Sequence, residues 1–221
     1  MKKLFSINVM LLSFLLPVII SSFEYADVRI KESKKIEIEP ALAGHNIKAN
    51  DGAENDSKTV ITSWNADPSK AEINFEVSGP FGKVHGSLSG LKSTIQFDEK
   101  NLAASSFRAS VDPKSISTGI GLRNHDLQKE KFLDSDNHPL ISFQSEKIVK
   151  TGSGYKAIGS LTIKGVTRPV EIPFTFTEKA ESGLFKGSFT IHREDFGVGN
   201  KGGSVGNEID INLEVPVTKS K

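Results

Sequence analysis

The sequence predicts an all-β fold: an antiparallel barrel of eight strands with one short helix near one mouth. Three observations carry that prediction. From Trp64 onward, apolar residues alternate with polar ones at a period of two, segment after segment. Turn signals built from Gly, Pro, Asp and Ser punctuate the segments. One stretch, Arg123 to Phe132, breaks the alternation with mostly helix-forming residues and no Gly or Pro.

The first row is Ala71, Ile73, Phe75 and Val77, with Glu72, Asn74 and Glu76 between them and a turn at Gly79-Pro80. Val84 to Phe97 counts as one long bent strand or two short ones. Phe107, Ala109 and Val111 follow, closed by Asp112-Pro113. After the helix, Phe132-Leu133 supplies an apolar anchor before Asp134, Asp136, Asn137 and Pro139 stop it. Ile141 and Phe143 then alternate with Ser142 and Gln144. Tyr155, Ala157, Gly159, Leu161 and Ile163 form the next row, and Val170, Ile172, Phe174 and Phe176 the one after. Phe185, Gly187, Phe189 and Ile191 precede the last row, Ile209, Ile211, Leu213, Val215 and Val217. Turns at Gly152-Ser153-Gly154, Lys164-Gly165, Ser182-Gly183 and Gly202-Gly203 separate the rows. Alternation on one face argues against a parallel sheet, whose strands are apolar on both faces. Eight antiparallel strands close into a barrel that holds side chains or one small ligand. A sandwich alternates in the same way, so the pattern alone leaves it open.

Composition narrows the function. The 221 residues suffice for one sizeable domain plus an extension. A net charge of +1, with no basic stripe past the first residues, argues against nucleic acid as a partner. The absence of cysteine excludes disulfides, a thiol nucleophile, a cysteine metal site and a lipidated N-terminal cysteine. Met1-Lys2-Lys3 followed by apolar Leu4 to Ile20 reads as a secretory signal over 1–22. An uncleaved anchor is the alternative, since the apolar run approaches the roughly 20 residues that span a bilayer. Residues 23–59, mixed in charge and poor in large apolar side chains, read as a disordered or loosely packed extension. The barrel occupies 60–218. A periplasmic or secreted location follows, with no stable membrane span once the signal is removed.

The inward rows mix large rings with Ala and Gly and carry almost no charge. Jigsaw packing produces such a mixture. A dry cavity suited to an aliphatic chain produces it as well. The candidate wall residues are Phe75, Val77, Phe107, Phe143, Tyr155, Leu161, Ile172, Phe174, Phe189 and Ile191. Arg123, Asn124 and Asp126 are head-group candidates, because a helix at the mouth would place them where a phosphate or quinone oxygen lies. Pairing with strand-end residues, which would fix the helix, is the other role open to Arg123 and Asp126. His125, Asp126, Asp134, Asp136 and His138 lack metal-ligand spacing, and aspartates after a helix are ordinary turn residues. Gly197 to Gly202 fits G-x-G-x-x-G, but a strand rather than a helix follows it, so it reads as a rim loop. No nucleophile elbow or Ser-His-Asp order stands out, and no catalytic residue is assigned.

The run from Thr118-Gly119 through Arg123-Asn124, Asp126-Leu127 and Phe132-Leu133-Asp134 to Pro139, Ile141, Phe143 and Ser145 resembles the signature of the YceI-like family of secreted bacterial proteins. LTIKGVTRPVEIPFTF (Leu161 to Phe176) and HREDFGVG (His192 to Gly199) agree with it, and the likeness extends over Trp64 to Val217. The resemblance implies a lipocalin-like barrel that holds a polyisoprenoid or related lipid, which favours the cavity over the filled core. It departs in detail. Relatives often read R-D-x-H-L where this chain has Arg123-Asn124-His125-Asp126-Leu127, and a His near the end of the first strand is replaced by Ser78-Gly79-Pro80.

The function expected is non-catalytic binding or transport of a long-chain apolar lipid outside the cytoplasm. Isoprenoid quinones and polyprenyl phosphates are the ligand class the resemblance implies, with fatty acids or fatty amides as the alternative. The rival is a filled barrel acting as a structural or adaptor domain. No cofactor is expected beyond the bound isoprenoid-type lipid, and a homodimer is left open. N-terminal sequencing of the mature protein tests the signal: the chain should begin near residue 23, and an intact Met1 on cytosolic protein would remove the basis for the location.

Overall fold

The computed structural model describes residues 61–221, and the expected signal and extension lie outside them. Ten strands lie within the described residues. β1 (Ser63–Ala66) and β2 (Glu72–Gly79) run end to end along β10 (Glu208–Lys219), with Trp64 opposite Lys219 and Val77 opposite Ile209. The break falls at Asp67-Pro68, where Pro68 has no N–H for a ladder and the Asp67 carboxylate accepts from Ser69 N at 3.0 Å. β3 (Gly82–Leu88) and β4 (Lys92–Gln96) share the next position in the same way, β3 on β2 and β4 on β1. Then β5 (Ser106–Val111), β6 (Ile141–Thr151), β7 (Gly154–Ile163), β8 (Val166–Lys179) and β9 (Ser182–His192) follow in chain order, and β9 meets β10. Ten segments therefore occupy eight positions of one closed antiparallel barrel.

The period-two rows point inward. In β7 every second residue from Tyr155 to Ile163 is buried while its neighbours are half-exposed. A register shift between Ser145 and Lys147 bends β6 against it. Gly159 sits opposite that bulge, and a Cβ there would collide with the Gln144 carbonyl oxygen. Its small size thus serves a close backbone approach, not interior space. Ser145 Oγ accepts from Phe107 N at 2.8 Å, tying the bulge to β5.

Two details differ from the sequence reading. The reversal between β8 and β9 lies at Ala180-Glu181, with Ala180 at φ 53°, and Ser182-Gly183 already belong to β9. The helix, α1 (Gly121–Leu127), starts earlier and stops sooner than Arg123 to Phe132. After it the chain folds back: Leu133 N donates to Leu127 O at 3.0 Å and Ser135 N to Gln128 O at 2.9 Å. That return brings Leu133 into the core, and tertiary packing outweighs the helix preference of Lys129 to Lys131.

Two apolar clusters fill the barrel unequally. At one end Phe97 is almost fully buried, with the rings of Phe107, Tyr155, Phe174, Phe176 and Phe185 at centroid distances of 5.1–5.9 Å. Trp64 Nε1 donates to Phe97 O at 3.0 Å, which satisfies the indole and holds the backbone of the plug. The second cluster, under α1 and the return, gathers Ile116, Leu133, Leu161, Ile163, Ile191, Phe196 and Val198.

Burial in the plug pushes the Tyr155 hydroxyl up to about 12, and the nearby Glu99 carboxylate adds to the shift. The unfolded chain releases that proton near the ordinary tyrosine value of about 10. Between these values the folded state holds more protons, so this contribution is fully present at lower pH and is lost as pH rises through the window. Urea midpoints measured across that range should fall less steeply in Tyr155→Phe than in the parent. Equal slopes would place the alkaline transition elsewhere.

Candidate functional site

Not all inward residues are covered. Phe75, Val77, Phe189, Ile211 and Leu213 belong to the inward rows of a closed barrel, yet each is only half-buried. The surface they keep faces a cavity of about 1000 Å³ inside the barrel. Ligand pockets typically occupy about 300–1000 Å³, and an apolar cavity near 150 Å³ already stays dry and takes a small hydrocarbon. The wall is drawn from the inner faces of the strands, closed on one side by Phe107, Phe174 and Phe185. Of the ten wall residues expected from the sequence, all but Tyr155 line it. Tyr155 stacks on Phe174 at 5.4 Å and belongs to the plug behind the wall.

Sequence reasoning missed the side wall. β5 leaves the sheet at Val111, where Asp112 caps a 3₁₀ turn over Pro113–Ser115 and its carboxylate accepts from Lys114 N at 2.8 Å. Among the described residues, the outer edge of β3 is then bridged only at Ser87 and Ser117. The segment from Ile116 through α1 covers the gap and adds Ile116, Ile120, Leu122 and Leu127 to the lining. Ile120 and Leu122 show no strand alternation, so only an apolar excess around a Gly-rich turn could have marked them. Phe81 carried a clearer signal, a large ring at a hairpin tip between Pro80 and Gly82.

The three head-group candidates separate. Asn124 Oδ1 accepts from Thr118 N at 2.9 Å and from Thr118 Oγ1 at 2.6 Å. Arg123 donates from Nε to Thr118 Oγ1 and from Nη2 to Thr118 O, both at 2.8 Å. Together they fasten the turn that enters α1. Arg123 still lines the cavity, and Asn124 does not. Asp126 lines it too but pairs with Lys129 at 2.6 Å, whose hydrogen bond holds the carboxyl below its usual range. Asp136 is held down in the same way by Lys114 at 2.6 Å. Among the described residues, no three His, Asp or Glu side chains come together as a metal site.

A buried cation organises the mouth. Arg193 is 6% exposed and follows β9 in a 3₁₀ turn, Arg193–Phe196. It donates to the carbonyls of Gly206 (2.8 Å), Val198 (2.8 Å), Asn200 (3.0 Å) and Val205 (2.9 Å). Its remaining contact is the Glu194 carboxylate at 3.3 Å, which also accepts from Gly202 N at 3.0 Å. The Gly-rich stretch from Gly197 to Gly206 is thus a loop wrapped around one guanidinium, with no dinucleotide cradle.

Residues 64–217 match the family model described as the YceI-like domain, which is well over half of the chain. The chain belongs to the YceI-like family. An UPF0312 protein of Pectobacterium atrosepticum is 27% identical over 144 residues, covering 62% of this chain and 75% of that protein. One from Yersinia enterocolitica is 28% identical with the same coverage. Among solved structures, BcnA of Burkholderia cenocepacia superposes with a TM-score of 0.67 at 24% identity, over 70% of this chain and all of that one. A polyisoprenoid-binding domain from Saccharophagus degradans, implicated in plant cell wall breakdown, gives 0.55 at 11% identity, over 71% of this chain and 98% of that one. At such identities these neighbours show the fold of this YceI-like chain, and the cavity is its own observation.

Arg193→Lys should destabilise the protein nearly as much as Arg193→Met. One ammonium cannot reach four carbonyls spread over the loop, and hydrogen bonds to a charged group contribute about 1.5–3 kcal/mol each. Chemical denaturation of both variants measures it. A lysine variant as stable as the parent would show that the guanidinium geometry is not what holds the loop.

Proposed function

We propose that this YceI-like protein binds and carries one long-chain apolar lipid in the barrel interior, outside the cytoplasm and without chemistry. The observation that carries the reading is the half-burial of the inward rows around a cavity of about 1000 Å³ with an almost wholly apolar wall. Such a wall offers a hydrocarbon chain dispersion contacts and a dry medium, and it offers a polar ligand unpaired groups. The chain would lie between the plug and α1, and its polar end would sit at the mouth near Arg123 and Lys131. Isoprenoid lipids are the class that the likeness to the polyisoprenoid-binding domain from Saccharophagus degradans supports, and fatty acyl chains satisfy the same wall. No group along the wall pairs a nucleophile with a base, which supports binding over catalysis.

Ile211→Trp tests the hollow interior. Ile211 is half-buried and faces the cavity, so an indole there has room. Phe174→Trp is the control, because Phe174 is packed among other rings, where added volume costs about 1–3 kcal/mol. Lipid-free Ile211→Trp should keep the parent's stability and retain less co-purified lipid, read by mass spectrometry of an organic extract. The extract also separates isoprenoids from fatty acyl lipids. A parent that carries no lipid, with Ile211→Trp as damaging as Phe174→Trp, would reject the carrier and leave the filled-barrel adaptor.

A further inference from the structure

The cavity reaches the surface through side chains that a soluble protein would be expected to hide. Phe81 is fully exposed, Leu122 is 75% exposed, Ile120 52% and Val205 37%, and all four also line the cavity. They come from three separate segments: the β2–β3 tip, the start of α1, and the loop that Arg193 holds. Backbone hydrogen bonds join these segments around the opening. Gly206 N donates to Ser78 O at 2.7 Å, Gly199 N to Lys131 O at 2.9 Å, and Ser87 N to Ser117 O at 2.8 Å. The apolar rim is therefore presented by a braced frame, in continuity with the apolar interior.

Cations flank it. Lys83 stands two residues beyond Phe81, and Arg123 and Lys131 line the opening. Lys201 lies exposed on the same loop as Val205. Lys83 is paired with Glu76. Among the described residues, Arg123, Lys131 and Lys201 have no carboxylate within ion-pair distance; the acids at the opening are Asp126, which pairs with Lys129, and exposed Glu130 beside Lys131. Large exposed apolar groups ringed by cations fit an anionic lipid surface, where rings and aliphatic tips enter the interface and ammonium groups meet phosphates.

We propose that this rim docks on an anionic bilayer, seating the cavity mouth against the lipid layer so that a chain passes between bilayer and barrel without crossing water. The proposal rests on the lipid-carrier reading for its purpose, but not for its test. Because the chain has no cysteine, a single reporter can be placed at will. Leu122→Cys, labelled with a polarity-sensitive dye, reports the rim. Ser153→Cys, exposed in the β6–β7 turn at the opposite end, reports the rest of the surface.

The full chain carrying either label is mixed with vesicles of phosphatidylethanolamine and phosphatidylglycerol. The expected result is a blue shift and a rise in emission at Leu122→Cys and none at Ser153→Cys. The response should weaken as salt shortens the Debye length from about 10 Å to about 3 Å. It should also be largely lost when Phe81→Ser is added. A silent Leu122→Cys overturns the proposal, and so does an equal response at Ser153→Cys, which would mean that some other part of the chain binds the vesicles. A shift without vesicles that grows with protein concentration would overturn it in favour of a second copy on the rim. Lipid extracts of the same preparations keep the two readings apart. A rim response with no co-purified lipid rejects the carrier and keeps the rim, and bound lipid with a silent rim does the opposite.

Discussion

An eight-stranded barrel encloses an interior of set width, and whether it is solid or hollow depends on what its two ends contribute. Phe97 decides this at one end. Its ring stands inside five others, and its backbone is held from both sides by Trp64 Nε1 at 3.0 Å and by Thr62 O, which accepts from Phe97 N at 2.9 Å. With that end sealed by rings in edge-to-face contact, β2, β9 and β10 do not need to meet across the middle. The opposite end is covered only in part, by chain that is not part of the sheet. β5 stops at Val111, β3 loses its neighbour, and α1 with its return is laid over the gap. A plug of aromatic side chains on one side and a covering segment on the other leave the space between them open.

The sheet itself was legible because alternation is a direct consequence of strand geometry. Tyr155 to Ile163 reads as a strand in the sequence and is one, with its odd-numbered residues inside. The antiparallel pairing and the helix near one mouth follow from the same rows and turns, whereas a closed barrel in place of a sandwich came with the family resemblance. Positions that depend on tertiary contacts were less legible. The helix length was overestimated because helix preference in Lys129 to Lys131 says nothing about where Leu133 must go. Tyr155 alternates like a wall residue but lies behind the wall, since alternation gives the face of a strand and not the height along the barrel. Phe97 ends the stretch Val84 to Phe97 with no mark of its centrality, because five neighbouring rings come from four other strands.

Polar residues near the mouth show the same limit in another form. Arg123 and Asn124 looked available for a ligand, yet both spend hydrogen bonds on Thr118. Arg193 was read only as part of a family-like stretch, and it proves to be the buried group on which a loop is wound. A guanidinium has donors in a planar fork, so it can satisfy several carbonyls of a Gly-rich loop that has no regular structure to do so. Sequence shows which residues can make such bonds. Only the path of the loop shows which of them do.

The chemistry of the cavity also bears on how selective the proposed carrier would be. A methylene group moved from water into an apolar wall gains about 0.8 kcal/mol, but the source of a long lipid is a bilayer, where its chain is already dry. Exchange between bilayer and barrel is therefore close to neutral per methylene, and added chain length confers little net preference. Discrimination then falls to shape along the wall and to polar contacts at the opening, where Arg123 and Lys131 stand against Asp126. The rate, in contrast, is governed by how much of the chain meets water in transit. An opening flush with a lipid surface shortens that exposure, whereas an opening ringed by polar groups would leave every methylene to cross water. An apolar rim continuous with an apolar interior is thus what rapid exchange of a water-insoluble chain requires, and under the proposed carrier function it accounts for the exposed Phe81 ring and the aliphatic tips at the mouth of this barrel.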